Sequence, residues 1–156
     1  MGPRGSIAAR VRFVALDDAD VERIGFGPDS AYLEYCLLPV IGPACCLLYR
    51  HVAPLIRDAE GIQVDLGELG RNLGLGAKVG PNSAVVKALT RLEMFRIGAW
   101  RGGDRYALRR AVGPLSDRQA QRLPEPARTI HYRSVPRSPA SPSPAQSCAG
   151  RSGTRP

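Results

Sequence analysis

The side chains with most chemistry to offer lie between positions 82 and 105, where Asn82, Ser83, Lys87, Thr90, Arg91, Arg101 and Arg105 gather amide, hydroxyl and cationic groups. Amides and hydroxyls suit base edges and cations suit phosphates, so this set points to binding a polyanion rather than to turnover. Other candidates fail on pattern. His51 falls beside an apolar stripe, where a packed histidine is expected, and His131 has no obvious partner. No paired-carboxylate, Ser-His-Asp or Cys-His arrangement is evident, and no enzymatic activity is expected. Gly74, Gly76 and Gly80 with Lys78 match neither GxGxxG nor GxxxxGK[ST]. Cys36, Cys45, Cys46 and Cys148 form no CxxC pair, and Cys45 and Cys46 sit in an apolar run as small hydrophobes, so no metal, cofactor or disulfide framework is expected. Trp100 reads as a packing residue rather than a base-stacking platform.

The charge distribution agrees with an anionic partner. The chain has 156 residues, room for one compact domain, and its 22 Lys and Arg against 14 acids give a net charge of +8. Residues 1–70 carry −4 and residues 71–156 carry +12. Twenty of the cations are Arg, which fits bidentate phosphate recognition and, more simply, the codon usage of a GC-rich genome. No apolar block follows the charged opening segment, so a secretory signal is not evident and an intracellular, cytoplasmic protein is expected. The most hydrophobic stretch, 36–49, is interrupted by Pro39, Gly42 and Pro43 and is too short to span a membrane.

Several elements must position the candidate residues. Residues 11–16 are apolar enough for a short strand, 17–24 for a helical turn or two, and 31–38 for either strand or helix. Gly42 and Pro43 open a core helix whose stripe is Ala44, Leu47, Leu48, Val52 and Leu55, and Pro54 bends or ends it near Ala53. Asp65 and Glu68 have capping-box spacing before a second helix, 65–73, stopped by Gly74 and Gly76. The third helix, Pro81 to Glu93, packs through Val85, Ala88, Leu89 and Leu92. It turns Ser83, Lys87 and Thr90 outward, flanked by Val86 and Arg91. Period-two alternation from Phe95 and again from Arg105 predicts two strands joined by a Gly102-Gly103 turn. Two helices follow, one capped by Ser116 and one from Glu125 to Tyr132. The composition of 134–156, five Pro and six Ser without an acid, predicts a disordered tail.

The capped helix 65–73, the turn 74–80, the helix 81–93 and the basic tip 101–104 together resemble a winged helix-turn-helix domain. The resemblance covers less than half the chain, and its turn is longer than the family's tight norm. It implies a mainly α fold with a small β-hairpin (α+β), a winged helix over 40–112, an N-terminal extension over 1–39 and C-terminal helices over 113–133. It also implies that the helix beginning at Pro81 enters the major groove of double-stranded DNA while the hairpin follows the backbone or minor groove. Asn82 and Ser83 would then read base edges, and Lys87 and Arg91 would position the backbone. A transcriptional regulator or mobile-element accessory protein follows, with the acidic N-terminal part covering the core, forming a homodimer or meeting a protein partner. The alternatives are a protein-interaction adaptor on the same scaffold and an RNA-associated protein using the Arg-rich end. The bland reading of the same cations is a solvated helix face and edge-strand charges that discourage aggregation.

Overall fold

The sheet is larger than a hairpin and is built from both ends of the sequence. In the computed structural model, which describes residues 7–135, β1 (Arg10–Leu16), β2 (Ile62–Asp65), β3 (Gly98–Trp100) and β4 (Arg105–Arg109) form one sheet in the order β2-β1-β4-β3. β1 runs antiparallel to β2 and parallel to β4. Residues 10–16, expected beside the domain, therefore lie inside its sheet. Alternation in β1 explains the placement: Val11 and Phe13 are buried while Arg10 and Arg12 are exposed, so one face joins the core and one meets water. On the inner face Tyr106 meets Phe13 and Trp100 edge-on, with ring centroids 5.7 and 5.1 Å apart. Its hydroxyl donates to the carbonyl of Leu89 at 2.8 Å.

Helices make up most of the rest, so the fold is mixed α/β. The first is α1 (Ala19–Ile24), capped by Asp18. A π-helical turn (Leu33–Leu37) runs into α2 (Leu38–Ile41), because Pro39 has no N–H to continue the α pattern yet fits the first turn of a new helix. Next come α3 (Pro43–Val52), a 3-10 turn (Ala53–Ile56), α4 (Leu66–Asn72) and α5 (Ala84–Met94). The last are α6 (Asp117–Ala120) and α7 (Glu125–Ser134). Pro54 ends α3, as the sequence implies, but the buried stripe differs. Cys45, Cys46, Leu48, Tyr49 and Val52 face the core, whereas Leu47 and Leu55 are about half exposed. That helix is apolar nearly all round, so its period does not choose a face. Asp65 caps α4 by accepting the Glu68 N–H at 2.9 Å, without the reciprocal bond of a capping box; that box occurs at Ser116 and Gln119. The expected tail lies outside the described residues except for its first two, which close α7 and follow it.

The C-terminal helix is tied to the N-terminal half through one buried phenol. Tyr32 Oη accepts the Leu115 N–H at 3.0 Å and lies 2.6 Å from Nδ1 of His131, which is buried. Either partner can supply the proton of that bond, according to the imidazole tautomer. Burial holds the His131 pKa below its ordinary 6.5, and Asp117 opposes this. The unfolded chain then binds the proton more tightly, so stability is complete above pH 6.5 and declines as the pH falls from there through the folded value. Urea midpoints at pH 7.5 and 5.5 should fall for the wild type and differ less for His131→Gln. Equal pH dependence in both would show that another group governs this window.

Candidate nucleic-acid interface

Helix α5 begins three residues later than the sequence suggests, and this changes which side chains are free. Its N-cap is Ser83, whose Oγ accepts the Val86 N–H at 3.3 Å and donates to the Gly80 carbonyl at 2.9 Å. Ser83 is 8 % exposed. It is thus corrected from an outward, base-reading position to a cap, since its hydroxyl is spent on the backbone. Pro81 and Asn82 belong to the preceding turn, and Asn82 is exposed.

Along α5, Val85, Val86, Ala88, Leu89 and Leu92 are buried, each large aliphatic side chain contributing about 1.5–3 kcal/mol. The burial turns Ala84, Lys87, Arg91 and Met94 outward, with Thr90 half-buried at the margin. Lys87 makes no ion pair among the described residues. Arg91 is different: its Nε donates to the Ile41 carbonyl at 2.7 Å and its Nη2 to Val40 at 3.1 Å, and the guanidinium lies over the Phe95 ring. It caps the carbonyl end of α2 and braces the two helices, while its side chain stays exposed.

The segment 73–83 that joins α4 to α5 rests on a face of α4 made of glycines. Leu75 donates its N–H to the Gly70 carbonyl at 2.8 Å, and a Cβ on Gly70 would meet the Gly76 carbonyl. This contact fixes how the longer turn returns to the start of α5. The hairpin closes through Arg101 and Arg105, whose backbones pair at 3.0 Å, with Gly102 and Gly103 at positive φ as the turn demands. β3 begins at Gly98, because Phe95 caps α5 and Arg96 adopts φ +58°. Arg101 and Arg105 are exposed and make no ion pair among the described residues.

Two further cations stand beside them. Arg12 faces Arg105 across the parallel β1–β4 pair and donates its N–H to the Asp104 carbonyl at 2.7 Å, while Arg10 lies two residues further along β1. Phe13 and Tyr106, the next pair, meet on the inner face, so Arg12 and Arg105 share the outer one. The alternation Arg10-Val11-Arg12-Phe13 was the signal for this outward row, obscured because the strand's partner lies about ninety residues away. Elsewhere, a shallow cleft of about 190 Å³ between Leu37, Phe95, Arg96, Arg109 and Gln119 brings no acid–base pair together. The described residues contain no group of three His, Cys, Asp or Glu side chains placed to hold a metal, and no helix long and apolar enough to cross a membrane.

The residues brought together at the hairpin and α5 are therefore Asn82, Lys87, Arg101 and Arg105, with Thr90 marginal and Arg10 and Arg12 added from β1. Comparison of the chain with protein-family models, curated proteins and solved structures finds no match.

Proposed function

We propose that this chain binds duplex DNA in the manner of a winged helix-turn-helix domain, with α5 in the major groove and the β3–β4 hairpin on the backbone. The observation that supports it best is the exposure of Lys87 on the outward face of α5, together with Arg101 and Arg105 at the hairpin, all without an intramolecular ion pair among the described residues. A helix, a turn, a second helix and a basic hairpin occur in the order such a mechanism uses. The added strand β1 and the long turn 73–83 are this chain's own departures from that plan.

Titration of a labelled random duplex by fluorescence anisotropy tests the reading. Each cationic phosphate contact should steepen the fall of log affinity with log salt by about 0.9. Lys87→Ala should weaken binding to every duplex alike and flatten that slope by about one contact, whereas Asn82→Ala should change the ranking among sequences. Ser83→Ala should instead cost about 1 kcal/mol of stability without changing preference. A flat salt response, or no binding, refutes the proposal. A protein-interaction module is the second reading, favoured by Met94, which is 76 % exposed on the same face as Lys87. Capture from lysate that survives nuclease treatment supports it over DNA.

A further inference from the structure

We propose that the outer face of β1 is a phosphate-binding surface continuous with the hairpin tip, so that Arg10 and Arg12 hold the backbone of the same duplex that α5 and the hairpin engage. This rests on the DNA reading above and extends it to a strand outside the helix-turn-helix.

The first argument is like charge set against like charge. Arg12 and Arg105 are direct neighbours across β1 and β4, and Arg101 continues the row across the hairpin by donating its N–H to the Arg105 carbonyl. Facing like charges destabilise a sheet, so three arginines abreast cost the free protein something that a bound anion would return. Two inter-strand spacings cover about 10 Å, and a duplex strand advances roughly 3.4 Å per phosphate. Neighbouring phosphates stand further apart than this axial advance because the strand also winds around the axis, so the row is wide enough to face about two of them.

The second argument is where the acids go. The acidic segment after β1 neutralises the far end of β4: Asp18 pairs with Arg109, and Asp17 and Glu22 lie 2.9 and 3.5 Å from Arg110. At the tip end Arg10, Arg12, Arg101 and Arg105 have no ion pair among the described residues. Asp65, opposite Arg10 in register, gives Oδ1 to the Glu68 N–H instead. The segments outside the described residues offer no Asp or Glu either, since 1–6 and 136–156 contain none.

The third argument separates duplex from single strand. Between the arginines the strands carry Val14 and Ala99, both half-buried, and Ala107, which is buried, at alternating register positions on this face, with no aromatic side chain among them on which a base could stack. Single-strand platforms depend on such stacking. Backbone contact to a duplex needs only the cations.

The test uses the full chain, a labelled random 20-base-pair duplex and a NaCl series, comparing wild type, Arg10→Gln/Arg12→Gln and Lys87→Ala. The double variant should lose about two contacts, flattening the log–log salt slope by about 1.8 for every duplex sequence and weakening binding at 0.1 M salt roughly 60-fold. Its thermal midpoint should equal or exceed that of the wild type, because repulsion is relieved. An unchanged slope in the double variant, with Lys87→Ala still weakening binding, overturns the inference and leaves the DNA reading intact. If the double variant weakens binding and Lys87→Ala does not, the sheet surface stands and the role given to α5 falls. A wild type that ignores duplex overturns both. Polyglutamate of matched charge competing as well as duplex would reassign the face to an acidic protein, and a midpoint lowered by several degrees would make the two arginines structural; either result overturns the proposal.

Discussion

Replacing Gly70 with Ala is expected to destabilise the protein by about 3 kcal/mol, although the same change in an ordinary helix interior gains stability by roughly 1 kcal/mol. The geometry of one contact reverses the sign. A Cβ on Gly70 would overlap the Gly76 carbonyl oxygen and stand 3.0 Å from Val85 Cγ2. The first of these atoms is backbone, so it can yield only if the whole segment 73–83 lifts from α4. Gly67, one turn earlier, supplies the control: its nearest foreign atom is the Ala77 carbonyl at 3.1 Å, a crowding of a few tenths of an ångström. Gly67→Ala should therefore cost far less. Urea denaturation of both variants measures the difference. A Gly70→Ala protein as stable as wild type would show that the turn does not lie against α4. Because that turn sets where α5 begins, Gly70→Ala should also weaken duplex binding in whatever fraction remains folded.

Tyr106→Ala should lower stability by about 3–5 kcal/mol, the range for removing a buried aromatic ring. The ring is fully buried between Phe13 of β1 and Trp100 of β3, so it holds three strands and the underlying helix in one contact. Tyr106→Phe keeps the ring and removes only the hydrogen bond to the Leu89 carbonyl, a loss of about 1 kcal/mol. Burial raises the Tyr106 pKa, so the phenol remains a donor throughout the physiological range. Thermal melts of the two variants separate packing from hydrogen bonding. Equal losses would mean that the hydroxyl, not the ring, carries the contact.

Local signals in the sequence located most elements but few of their partners. The period-3.6 stripe of α5, the caps at Asp65 and Ser116 and the Gly102-Gly103 turn each act over four or five residues, and the structure contains all of them. The place of β1 could not be read the same way. Its neighbour β4 is about ninety residues distant, and a parallel pairing leaves no local mark on either strand. Distance also concealed the role of Arg91, because the carbonyls of Val40 and Ile41 that it caps lie fifty residues upstream. Ser83 was misplaced for another reason. Serine serves equally as a helix cap and as a hydrogen-bonding surface group, and Pro81 marks a plausible helix start that the chain passes over. Lys87, Arg101 and Arg105 were legible because exposure follows directly from the buried stripe and the hairpin turn.

The parallel alignment of β1 with β4 has a consequence for synthesis. As the nascent chain leaves the ribosome, β1 can meet its antiparallel neighbour β2 once Asp65 has emerged, but its other edge stays unpaired until Arg109 has emerged as well. For that interval Val11 and Phe13 lie on a strand whose free edge invites foreign backbone. Completion of the sheet thus waits on the last strand, which places the greatest exposure to misassembly late in translation.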